Sequence, residues 1–204
     1  MSARFLSTPA KDRITQAVKK FESFTSAELV VTVKKSSGRH PEASLRWGAA
    51  WAFLALVVLM FHPEEFDLHF IVVDVGGAFL LGYALSAYVT PVKRVFITPR
   101  ARAESVRTMA KAAFYDLGIS GTFGRTGLLA YVSSLENTIE IVCDRGVTDA
   151  AREACQKTRP LLERCLHAND YEGFAKLLEA LGETFHETMP RATDDVNELV
   201  DEVA

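Results

Sequence analysis

The sequence predicts an α/β domain, a small mixed sheet flanked by helices, interrupted by a transmembrane helical hairpin. Three observations predict it. A charge-free apolar run, WGAAWAFLALVVLMF at 47–61, is followed after a short acidic link by a second, LHFIVVDVGGAFLLGYALSAYVTPV at 68–92. On either side of this segment, stripes of helical period alternate with runs of strand character. The 204 residues are 49% hydrophobic and 24% charged, enough apolar material for one packed domain of ordinary size with something added. The mean hydropathy of +0.09 is high for a soluble α/β domain, and the excess sits between Trp47 and Val92.

The elements can be justified in order. Thr8-Pro9 predicts an N-cap followed by a first-turn proline. Ile14, Ala17, Val18, Phe21 and Phe24 then fall on one helical stripe, which Thr25-Ser26 breaks. AELVVTVKK at 27–35 reads as a strand, because Leu29, Val30, Val31 and Val33 give the near-continuous apolar run of buried strands. Beyond the apolar segment, Ile97-Thr98-Pro99 opens a helix running to about Leu117, with Val106, Met109, Ala110, Ala113, Phe114 and Leu117 on one face and Gly118 as its stop. Residues 126–133 and 138–143 read as two strands joined by the turn Ser134-Leu135-Glu136-Asn137. Thr148 caps a helix to His167, and Asn169-Asp170 caps another that reaches Met189. The tail at 191–204 is acidic, has no apolar period and is expected to be extended or loosely held. Residues 1–40 and 94–190 would thus form a single split domain, with 44–92 as the inserted hairpin.

A spanning helix needs roughly 20 mostly apolar residues. The first run reaches that length by recruiting Ser44, Leu45 and a snorkelling Arg46 at one end and His62 at the other; the second is long enough alone. The bland alternative is a pair of core helices, which a globule of this size would struggle to bury on all sides. Lys34, Lys35, Arg39 and Arg46 precede the runs, and Lys93, Arg94, Arg100 and Arg102 follow them. The link carries Glu64, Glu65 and Asp67 with no Lys or Arg, so both termini are expected in the cytoplasm. Asp74 is the intramembrane ionisable residue. Such groups are costly and often functional, but a place near the link would also let it reach the headgroup layer. Gly76, Gly77 and Gly82 permit close packing of the second helix, most economically against the first.

Net charge of -3 and a pI near 6.0 give no global reason to expect nucleic acid as a partner. Cys143, Cys155 and Cys165 show no paired ligand spacing and read as reduced thiols rather than a zinc site. MSARFLSTPAKDR has no apolar h-region, so no cleaved signal peptide is expected.

The candidate chemistry lies around GTFGRTGLLAYVSSLENTIEIVCDRGV at 121–147. A phosphate loop needs a strand, then glycines, then a helix start. Here Gly118, Gly121, Gly124 and Gly127 follow a helix and precede a strand, so the order is reversed. An antiparallel hairpin of 126–133 with 138–143 brings Arg125 beside Asp144 and Arg145. If strand 27–33 joins parallel to 126–133, Glu28 arrives at the same edge. Glu28, Arg125, Asp144 and Arg145 are therefore the candidate polar cluster. Its two acids, Glu28 and Asp144, are the metal candidates, for Ca²⁺ or Mg²⁺. The four could equally bind a phosphate or a partner, or pair with one another. His186-Glu187 is no HExxH, because Pro190 stands where the second His would be.

TSAELVVTV (25–33), GTFGRTGLLAYVS (121–133), ENTIEIVCDRGV (136–147) and the terminal DVNEL (195–199) resemble a TPM domain of the membrane-anchored bacterial subgroup. In that subgroup two spans interrupt the domain after its first strand, and the likeness covers nearly the whole chain after residue 10. The resemblance implies an inner-membrane protein with a cytoplasmic domain, serving a membrane protein complex as an accessory, assembly or repair factor. Members of the wider family include a lumenal protein with acid phosphatase activity, a photosystem repair factor and a receptor accessory protein. Some related domains bind calcium at the sheet edge. A metal-assisted phosphatase is therefore the alternative the resemblance carries. Ala27 and Val200 depart from the glycine and proline common at those places, and neither change removes a polar group. Other branches of the family have a glycine-containing segment where Asp144 to Gly146 lies, so their phosphatase and calcium roles transfer poorly.

Overall fold

The computed structural model describes residues 5–38, 40–63, 67–86, 96–191 and 199. The chain divides into two compact units, one made of Met1–Ser37 and Ala103–Ala204, the other of Gly38–Arg102. Among the described residues there are six α-helices and three strands, so the protein is a mostly helical, mixed α/β molecule.

In the first unit, α1 spans Thr8–Phe24 and β1 spans Leu29–Lys34. The N-cap of α1 is Ser7 rather than Thr8, and it makes no side-chain capping bond; Pro9 sits in the first turn. β2 spans Leu128–Ser133 and β3 spans Thr138–Cys143. The sheet order is β1-β2-β3, with β1 parallel to β2 and β2 antiparallel to β3. Leu29 pairs with Leu128, which pairs with Cys143, so the start of β1, the start of β2 and the end of β3 share one edge. β1 and β2 both begin later at that edge than the apolar pattern suggests: Ala27 and Glu28 precede β1, and Thr126 and Gly127 precede β2.

Alternation sorts the strand side chains into two cores. Leu29, Val31, Val33, Leu128, Ala130, Val132 and Ile139 face one core with α1 and two later helices, α5 (Asp149–Ala168) and α6 (Tyr171–Thr188). Phe5 packs edge-on against Phe174, and Phe21 against Phe185, tying α1 to α6. Close approach of these helices needs Gly182: a Cβ there would lie 2.9 Å from the Phe21 Cα. Outside this seam, Arg13 and Lys20 of α1 both pair with Glu179 of α6, at 2.8 and 2.7 Å. The other face, with Val30, Leu129 and Tyr131, is covered by Val106, Ala110 and Phe114 of α4 (Pro99–Asp116) and by Ile119. Leu199 of the acidic tail packs against this second core, so at that residue the tail is held, contrary to a wholly loose arm. The rest of the tail, at 192–198 and 200–204, lies outside the described residues.

Helix α5 begins where Thr148 accepts a hydrogen bond from the Ala151 amide, and it ends at Asn169 in the left-handed region. Asp170 then caps α6 by accepting from the Gly173 amide at 2.8 Å. At the end of the sheet away from Glu28, the fully buried Glu136 carboxylate accepts from the hydroxyls of Ser133 and Ser36 and from the Ser37 amide. The Ser37 hydroxyl also bonds Ser133 at 2.8 Å. This network fastens the last residues of the first unit before the inserted segment.

In the second unit, α2 spans Pro41–Phe61 and α3 spans Leu68–Leu85. The six-residue link between them reaches at most about 20 Å, so α3 must return antiparallel along α2. Gly48 stands against Phe79, and Gly82 against Trp51. The relative lengths differ from the sequence expectation. Helix α2 gains its first turns from Pro41–Arg46, while the described part of α3 is 18 residues long. Residues 64–66 and 87–95, onto which the expected link and the end of the second span fall, lie outside the described residues. Among the described residues one helix, Pro41–Phe61, is long and apolar enough to cross a membrane, and only 11% of its apolar window is buried; His69–Leu85 is a shorter apolar helix.

Candidate functional site

The sheet-edge cluster is built by extending the strand register one row. The Leu128 amide donates to the Glu28 carbonyl at 2.7 Å, and the Asp144 amide to the Gly127 carbonyl at 2.9 Å. Glu28, Gly127 and Asp144 therefore lie side by side across the three strands. Ile119 closes over the middle of the row. A Cβ on Gly127 would come 2.6 Å from the Ile119 carbonyl oxygen, so only glycine fits. Strand spacing sets the backbones of Glu28 and Asp144 about 10 Å apart.

Glu28 and Asp144 are both buried, at 5% and 8% exposure. One Asp144 oxygen, Oδ1, accepts from the Arg145 amide at 2.7 Å; the other, Oδ2, is buried with no hydrogen-bond partner. Arg125 and Arg145 are exposed. Arg125 sits at φ 54°, and its guanidinium turns back to the Ser120 carbonyl within its own loop. Among the described residues no ion pair joins Arg125 or Arg145 to Asp144. The four residues thus reach one edge of the sheet, and the arginines do not neutralise Asp144 there. Thr126 adds a bond from its hydroxyl to the Ser26 carbonyl at 3.1 Å, fixing the approach of β1 to β2.

Arg152 organises this edge and is absent from the sequence reading. From the first turns of α5 its guanidinium donates to the carbonyls of Val147 at 3.1 Å, Cys143 at 3.4 Å, and Asp144. A signal was present in the sequence: a cation near a helix N-terminus opposes the helix dipole, so it needs another partner. Nearby, the neighbouring Cys155 thiol, with Arg152 assisting, holds Cys143 below its ordinary value, while Cys143 and burial push Cys155 up. All three cysteines are free.

Glu140 lies mid-strand and pairs with Arg159 at 3.4 Å. His167 bonds the Asn137 carbonyl at 2.9 Å, and His186 the Phe24 carbonyl at 2.8 Å, so each ring is engaged by the backbone. Among the described residues no group of three His, Cys, Asp or Glu side chains converges to hold a metal ion. A hard cation such as Ca²⁺ takes six to eight oxygens. Glu28 and Asp144 alone do not make that set. Asp74 is on α3, in the other unit, and is exposed.

A solved NMR structure of the BA42 protein from the psychrophilic bacterium Bizionia argentinensis is similar to this chain in fold, with a TM-score of 0.58 and 18% identity. The match covers 97% of this chain and 93% of that one. No family model matches the chain, and no curated protein does.

Proposed function

We propose that the chain is a membrane-anchored, TPM-like accessory or assembly factor for a membrane protein complex. The observation that carries this reading is the outer surface of α2 and α3. Phe53, Val58, Phe61, Phe70, Val73 and Leu80 are all exposed on these two helices. Hydrocarbon is the solvent such a surface fits, and aqueous domains rarely show patches of this extent. Inserted as a hairpin, the helices would leave the acidic link outside and the basic flanks within, at a bacterial inner membrane with both termini cytoplasmic. In the soluble unit, the segments that carry the TPM resemblance form β1, β2 with its glycine-rich approach, and β3 with the turn after it.

The test is purification of the full-length chain from detergent-solubilised native membranes. The expected result is co-elution of a membrane complex in fixed stoichiometry, unchanged in Asp144→Ala. Release of the chain from membranes by alkaline carbonate would sink the anchor. A metal-assisted phosphatase is the second reading, favoured by the partnerless Oδ2 of buried Asp144. Phosphate release that depends on Ca²⁺ or Mg²⁺ and is lost in folded Asp144→Ala would replace the accessory reading.

A further inference from the structure

The two faces of α3 differ in kind. Gly82 is buried and Ile71, Val75, Ala78 and Phe79 are half-buried, on the side where Phe79 meets Gly48 and Gly82 meets Trp51. Away from that side Phe70, Val73, Gly77 and Leu80 are exposed, and so is Asp74 at its flank. Asp74 is the one acidic or basic residue between Phe70 and Leu85, and the run from Trp47 to Phe61 has none. Beside it, a Cβ on Gly76 or Gly77 would meet nothing within 4 Å.

Asp74 does not stand at the edge of the apolar layer. It lies five residues before Phe79 and eight before Gly82, which sets it level with the α2 stretch between Phe53 and Leu59. It is about 9 Å along the helix from Leu68. A carboxylate has no long stem with which to snorkel from that depth. No residue of that α2 stretch can donate a hydrogen bond from its side chain. The neighbouring glycines leave room for another helix backbone to come close.

We propose that the Asp74–Gly77 stripe of α3 is an intramembrane docking face for one transmembrane helix of another protein, bearing a Lys or Arg at the level of Asp74. The inference rests on the membrane-hairpin reading. Charge complementarity selects the occupant. A second copy docked two-fold on the same stripe would set carboxylate against carboxylate, whereas a basic helix neutralises it.

The experiment uses the full-length chain, donor-labelled, in phosphatidylcholine vesicles. The probes are two acceptor-labelled oligo-leucine transmembrane peptides, one with a central Lys and one without. Energy transfer is expected to show about tenfold tighter association with the Lys peptide. Asp74→Leu is expected to abolish the preference, Asp74→Glu to retain it, and Gly77→Ile to weaken association with the Lys peptide. Equal association with both peptides, or a preference that survives Asp74→Leu, overturns the proposal. Full association in Gly77→Ile overturns the glycine notch. Transfer between two copies of the chain, lost in Asp74→Leu, overturns it in favour of self-association. Carbonate extraction of the same vesicles separates the two levels. A chain that stays embedded without discriminating the peptides removes only the docking face. A chain that is released removes the hairpin reading and the docking face together.

Discussion

The Gly146 amide donates to the Arg125 carbonyl at 2.7 Å, joining the loop before β2 to the turn after β3. The two backbones are so close that a Cβ on Gly146 would overlap the Gly124 carbonyl oxygen and sit 2.7 Å from that of Arg125. Gly146→Ala must part the two segments, and the loss of stability is expected to be about 2 kcal/mol. Urea unfolding of the full chain in detergent micelles measures it. A variant as stable as the parent would refute the contact.

Arg152 holds three carbonyls at the end of β3 and in the turn beyond. Arg152→Ala leaves them without this donor and is expected to cost about 2 kcal/mol. Arg152→Lys recovers little, because an ammonium lacks the planar fork. The Cys143 thiol, held low first by Cys155 and then by Arg152, is expected to alkylate more slowly in Arg152→Ala at neutral pH. Unchanged reactivity and unchanged stability together would dismiss the role.

Glu136 is fully buried, yet four donors from Ser36, Ser37 and Ser133 meet it or its hydroxyl network. Removing the acceptor strands the buried Ser37 amide and Ser133 hydroxyl without water. Glu136→Ala is expected to lose about 3 kcal/mol, and amide exchange at Ser37 to speed up before the core strands open. Exchange at Ser37 that matches the parent protein would show that the carboxylate does not fasten this segment.

Glu179 lies below its ordinary value of 4.5, first because Lys20 donates to it and then because Arg13 does. The unfolded chain therefore takes up this proton first as the pH falls. The stabilisation is complete above pH 4.5 and is lost as the pH drops through the lower folded value. Glu179→Gln is expected to flatten the stability curve in that window and to leave its shape near neutrality unchanged. An equal acid dependence in parent and variant, read from melting temperatures between pH 3 and 5, would contradict the pairing.

Much of the first unit was legible because its signals are local. The β-branched run at Val30, Val31 and Val33, the Thr148 and Asp170 caps and the stop at Gly118 each specify an element without distant help. The gathering of Glu28, Arg125, Asp144 and Arg145 at one edge was also legible, since parallel and antiparallel pairing leave few registers. Their interactions were not. Whether Arg125 turns to Asp144 or to Ser120 depends on a left-handed residue inside a glycine-rich loop, which no periodicity reports. Glu136 reads as a turn residue and is one, but nothing local tells that the turn buries it. Its burial is set by Ser36 and Ser37, a hundred positions away in the chain.

One consequence of the topology concerns the order in which the chain is made. Leu29 and its neighbour Leu128 are 99 positions apart, and the whole of Gly38–Arg102 is synthesised between them. A nascent polypeptide that has emerged only as far as α3 has α1 to lay against β1 but no strand to pair with it. The central parallel pairing waits on the ribosome, so the sheet can close only after every residue of Gly38–Arg102 has been made.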